Sequence, residues 1–86
     1  MPEISCFFGL IIAMYFNDHA LPYFHVRYGG QQAVIGIENL ALIERKLSPR
    51  VFGMVIEWAT IHQDELRENW RRVEQKESLQ AIEPLE

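Results

Sequence analysis

The chain has 86 residues, of which 49% are apolar, and a formal net charge of −4. That length allows one domain with a thin core, spanning residues 1–86, and that apolar share argues against disorder. The negative balance disfavours a general phosphate-backbone binder, which displays a basic face, although Arg27, Arg45, Lys46 and Arg50 form a local basic spot if the fold gathers them.

Residues 4–10 and 11–16 are rich in Ile, Phe and Tyr, with Gly9 between them. Two strands broken at Gly9 fit this pattern, and so does one bent strand. Near-continuous apolarity predicts a central position covered on both faces. The run is shorter than the ~20 apolar residues that span a bilayer. Glu3 precedes it and no Lys or Arg does, so it reads poorly as a signal peptide, and a cytoplasmic, membrane-free protein is expected. Cys6 is the only cysteine, so no disulfide forms within the chain and no thiolate zinc site is available. Lacking a neighbouring Lys, Arg or His to lower its pKa, Cys6 is expected to be a small buried hydrophobe.

Asn17, Asp18 and His19 read as a turn, and Pro22 keeps the following residues extended. Residues 24–28 then alternate: Phe24, Val26 and Tyr28 share one strand face, His25 and Arg27 the other. Gly29 and Gly30 mark a hairpin, with a return strand over 33–37. Glu38 and Asn39 make a weaker turn before a short strand at about 40–44. These elements form an antiparallel meander of four to five strands.

Ser48 and Pro49 open a helix, Ser48 as the cap and Pro49 at the first helical position. The pattern runs to about Lys76 as one long helix, near 40 Å at 1.5 Å per residue. Gly53 inside it suggests close packing on the sheet. At ~100° per residue, Val51, Val55, Trp58, His62, Leu66 and Val73 form one stripe, with Asn69 beside it. His62 and Asn69 are thus aimed at the sheet and need partners, with a backbone carbonyl expected for His62. Trp58 is core. Trp70 lies at the flank, where a partly exposed ring suits a partner interface and a packed one suits contact with the tail. Residues 78–86, with Leu79, Ile82 and Leu85, are expected to return as an extended arm. The fold class is therefore α+β: a small meander packed on one long helix. A homodimer would supplement so thin a core.

Chemistry concentrates in residues 17–28. His19 and His25 flank the turn, and His62 arrives from the helix. If the helix covers the apolar face of the 24–28 strand, His25 and Arg27 lie on the open face, away from His62. A histidine as base beside an arginine as phosphate clamp, with His19 as acid, would suit a phosphodiester substrate. Asp18 with the two histidines would suit a metal, though the spacing matches no established metal motif. The plainer alternative is structural: His19 caps the turn, His25 sits half-exposed on its strand, and His62 hydrogen-bonds a backbone carbonyl within the core. The sequence carries no cofactor motif, and no cofactor is expected.

These segments, taken together, resemble the domain-of-unknown-function family 4160 of small bacterial proteins. The resemblance rests on Ile4-Ser5, Phe7-Phe8-Gly9, Met14-Tyr15, and the run Asp18-His19-Ala20-Leu21-Pro22-Tyr23-Phe24-His25-Val26. It continues through Glu57-Trp58-Ala59, His62-Gln63, Glu65-Leu66, Asn69-Trp70 and Ile82-Glu83-Pro84-Leu85. It implies a toxin–antitoxin-like two-gene cassette, a protein partner from the adjacent gene, and RNA-directed toxicity. Cys6, Leu21 and Tyr23 stand where the family usually has Arg, Pro and His. Three functional expectations follow: an interaction protein of such a cassette, a metal-independent ribonuclease-type toxin using His25, Arg27 and His19, and a His-based metal-binding regulatory module.

Overall fold

The computed structural model describes residues 3–15 and 21–86. Five strands, β1 (Glu3–Phe7), β2 (Leu10–Ala13), β3 (Tyr23–Tyr28), β4 (Gln31–Gly36) and β5 (Leu42–Arg45), form one antiparallel sheet. They lie side by side in chain order, and helices α1 (Pro49–Ile61) and α2 (Gln63–Glu74) follow. The architecture is α+β.

Gly9 marks a tight hairpin between two strands. Phe8 and Gly9 have φ of 48° and 81°, and two consecutive positive values define the primed turn that joins twisted antiparallel strands. Phe8 is a costly occupant, since a bulky L-residue in the left-handed region clashes with its own carbonyl.

β1 is an edge strand, not a central one. Its apolar residues are nevertheless covered. The backbone N–H of Ile82 donates to the Ile4 carbonyl at 2.8 Å, and the Ile82 side chain is buried in the core beside Ile4. A sheet edge is partly closed in this way by the chain's own end. The expected burial of Cys6 fails because Cys6 points to the uncovered face, where it is exposed.

The single long helix expected from the periodicity is two helices. A straight helix over residues 49–74 would be ~39 Å long at 1.5 Å per residue. The molecule's largest extent is only 33 Å. The chain bends at His62, whose φ of −111° and ψ of 23° leave the helical region. The hydrogen-bond ladder survives the bend: His62 N–H donates to the Trp58 carbonyl at 3.1 Å and Leu66 N–H to the His62 carbonyl at 3.0 Å. Gln63 fixes the new direction, its Nε2 donating to the Ile37 and Glu38 carbonyls at 2.8 and 3.1 Å. Val51, Val55, Trp58 and Ala59 of α1 and Leu66, Asn69 and Trp70 of α2 are buried as a result.

Ser48 precedes Pro49 as expected, but its side chain makes no capping bond. Its backbone N–H instead donates to Gln31 Oε1 at 2.7 Å, tying the helix start to β4. Gly53 does not pack on the sheet; it faces outward with nothing near it.

Residues 77–86 carry no helix or strand, and buried polar groups hold them. Asn69 Nδ2 donates to the Gln80 carbonyl at 2.8 Å, and Gln80 N–H donates back to Asn69 Oδ1 at 2.9 Å. Trp58 Nε1 donates to the Glu83 carbonyl at 2.8 Å. The amide that the sequence aims into the core thus finds its partners in backbone.

Candidate functional site

Alternation on β3 sorts its side chains between two environments. Phe24 and Val26 are 0% and 2% exposed under the helices, while His25 is half-buried and Arg27 exposed on the other face. Antiparallel register carries that second face across the sheet. Ala13, His25, Val34 and Glu44 align in one row; Ile11, Arg27 and Gln32 align in the next. Arg45 pairs with Ala33 where β5 ends, at a φ of 59°. A depression of about 220 Å³ lies over these rows, with Tyr15, His25, Arg27, Gln32, Glu44 and Arg45 as its polar lining.

His25 is held by aromatic packing. The Tyr15 ring stacks on it with centroids 4.1 Å apart, and the Tyr15 hydroxyl lies 3.3 Å from His25 Nδ1. Tyr23, two residues earlier on the strand, meets His25 edge-on at 5.3 Å. The Tyr23 hydroxyl donates to the Tyr15 carbonyl at 3.0 Å, so the same residue steadies the stacking partner. Tyr23 also packs against Trp70 at 4.9 Å. A continuous chain of rings therefore links α2 to the imidazole.

The arginines differ from those of α2. Neither Arg27 nor Arg45 makes a hydrogen bond or ion pair with any described residue. On α2, Arg67 binds Glu38 and Asp64, Arg71 binds Glu68 and Glu77, and Arg72 binds Glu68. The hydrogen bond from Arg67 holds the Glu38 carboxyl below its usual value of 4.5, and that from Arg71 does the same for Glu68.

The sequence-predicted residues separate into groups. His25 and Arg27 share the depression. His19 and Asp18 lie outside the described residues. His62 sits on the helix side, at the bend, with its ring 5.6 Å from Trp58. Its partner is not a backbone carbonyl; Nδ1–H donates to Glu65 Oε1 at 2.5 Å. Trp70 is not partly exposed: at 7% exposure it belongs to the core, against Tyr23. Among the described residues, no group of three His, Cys, Asp or Glu side chains could hold a metal ion. No described helix is long and apolar enough to cross a membrane.

Gln32 and Glu44 enter the lining without having been singled out from the sequence. The Gly29-Gly30 turn was the available signal for Gln32, because a two-residue loop sets Arg27 opposite it. No such signal placed Glu44, since the register slips between Val34 and Ile35.

The molecule is thus a small α+β protein, a five-stranded meander with helices on one face and a polar depression on the other. The chain belongs to the family described as a domain of unknown function, DUF4160, whose profile matches residues 9–71. The match includes every lining residue of the depression. No curated protein and no solved structure matches the chain.

Proposed function

We propose that the chain is an RNA-directed module that receives a phosphodiester on its open sheet face. Arg27 and Arg45 would neutralise the phosphate, and His25, steadied by Tyr15, would lie beside it for proton transfer. The observation that carries this reading is that these two arginines line the depression around His25, beside Glu44, with no ion pair to any described carboxylate. A guanidinium without an internal partner is an anion donor set already in place. The net charge of −4 opposes long-range attraction, so the contact would be local and modest.

Fluorescence titration with a short single-stranded RNA, over a range of salt, tests this. Two phosphate contacts predict a slope of log K against log salt near about −1.4, and Arg27→Ala should flatten it by about 0.7. Unchanged affinity and slope in Arg27→Ala and Arg45→Ala would remove the proposal. Intact RNA with the wild type would leave a binding module; cleavage lost in His25→Ala would make it a ribonuclease-type toxin.

A second reading is the interaction protein of a toxin–antitoxin-like two-gene cassette. Its supporting observation is β5, an edge strand whose four residues are all exposed, Leu42 and Ile43 among them. Such an edge can accept a partner's strand. Co-expression with the adjacent gene product tests it: co-purification abolished by Ile43→Lys supports it, and clean separation of the two wild-type proteins rejects it.

A further inference from the structure

A second cavity, of about 440 Å³, lies between the β1–β2 hairpin and the start of α1. Its lining is Phe8, Tyr28, Ser48, Arg50, Val51 and Met54. Tyr28 alternates with Val26 onto the helix side, so this cavity is separate from the depression around His25. Ligand cavities run to about 300–1,000 Å³, a range that the depression misses and this cavity meets.

Two of the lining residues stand where the fold favours others. Phe8 is the first central residue of the hairpin turn, at a φ of 48°, where asparagine before glycine is the preferred pair. Burial does not offset the strain, because Phe8 is 60% exposed. Arg50 is in the first turn of α1, where the helix dipole favours a carboxylate, and that turn holds none. Arg50 makes no ion pair with a described residue, and no lining residue is acidic. Local folding preference accounts for neither Phe8 nor Arg50, yet both open onto one cavity.

The rings of this cavity are held in place. Phe8 meets Phe7 edge-on at 6.2 Å, and Phe7 packs on buried Trp58 at 5.6 Å. The Tyr28 ring lies over Gly9, where an added Cβ would be 3.3 Å from its Cε1. Aromatic faces offer stacking to a flat ring, and an unengaged guanidinium offers paired donors to a phosphate. Together they select a ligand that carries both groups. We propose that this cavity binds a nucleotide, its base against Phe8 and Tyr28 and its phosphate on Arg50. A free nucleotide and the phosphorylated end of an RNA present this same chemistry.

Amide-resolved NMR titration of the whole chain with AMP tests the site. The amides of Gly9, Tyr28, Arg50 and Val51 should shift, and those of His25 and Gln32 should not. Adenosine and ribose phosphate, each lacking one group, should both bind at least about fivefold more weakly. Phe8→Asn should raise the melting temperature and weaken AMP binding at least about fivefold, two effects that a purely structural role would not combine. Arg50→Gln should weaken AMP and leave adenosine unchanged. Arg27→Ala should leave AMP binding intact. A short RNA with and without a terminal phosphate separates the two sources: phosphate-dependent shifts at the same amides assign the strand end, and shifts with AMP alone assign the free nucleotide. No shift at these amides with millimolar AMP overturns the proposal. So does an affinity that Phe8→Asn and Arg50→Gln leave unchanged. Loss of AMP binding in Arg27→Ala also overturns it, by moving the ligand to the depression and leaving the phosphodiester reading in place.

Discussion

The two faces of this sheet use the same strands for opposite ends. Under the helices, Phe24 and Val26 of β3 are sealed in the core, and the Asn69 amide that enters it is matched by the Gln80 N–H and carbonyl. On the outside of α2, Arg67, Arg71 and Arg72 all hold carboxylates from within the molecule. On the open face, Arg27 and Arg45 hold none among the described residues. Charge spent internally orders a surface, whereas charge left unspent beside a histidine is available to something else. The contrast locates function by what the fold does not consume.

Neighbouring residues of β3 give the sharpest test. Phe24→Ala should cost about 3–5 kcal/mol, the usual loss for a large buried aromatic. That is a large part of the ~5–15 kcal/mol that stabilises a typical domain. Arg27→Ala, three residues along on the other face, should change stability by less than about 0.5 kcal/mol while removing anion binding. Urea denaturation of both variants measures this. A destabilised Arg27→Ala would mean that the open face is structural, and the comparison would fail.

Asn69→Ala should rank next, at about 1–3 kcal/mol, because it strips the Gln80 N–H and carbonyl of their partner at a site of 1% exposure. Asn69→Asp keeps an acceptor for the Gln80 N–H but sets a carboxylate against the Gln80 carbonyl, so it should be no milder. Thermal melts followed by tryptophan fluorescence report the difference. If both variants melt like the wild type, the tail is not held by this amide.

Alternation made the open-face position of His25 and Arg27 readable from residues 24–28, because a period of two admits only two placements. The double glycine made the β3–β4 register readable in the same way. Other features depended on information that no local pattern holds. The bend at His62 follows from the size of the sheet beneath the helix, and helical periodicity is almost indifferent to a one-residue departure. The edge position of β1 was hidden because the tail residue Ile82 supplies the cover that apolarity attributes to another strand. Trp70 looked peripheral on a straight helix; the bend turns it onto Tyr23. The stacking of Tyr15 on His25 crosses a segment whose path no propensity specifies.

The smallest expected effect tests the closed side of the comparison. Arg67 donates to the Glu38 carboxylate at 2.9 and 3.2 Å through Nε and at 3.0 Å through Nη2. The hydrogen bond lowers the Glu38 pKa from 4.5, so the folded state binds that proton less readily than the unfolded chain does. A depressed carboxyl contributes stability that is fully present above its unfolded pKa and is lost as pH falls through the lower, folded value. Arg67→Ala should therefore melt slightly below the wild type at pH 7, and the two curves should converge as pH drops well below 4.5. Both groups are solvent-facing, so added salt should shrink the gap as well. Arg27→Ala, with no ion pair to a described carboxylate to lose, should track the wild type across the same pH range. A pH-dependent gap for Arg27→Ala would show that the open-face arginine is already engaged, and the distinction between the two faces would collapse.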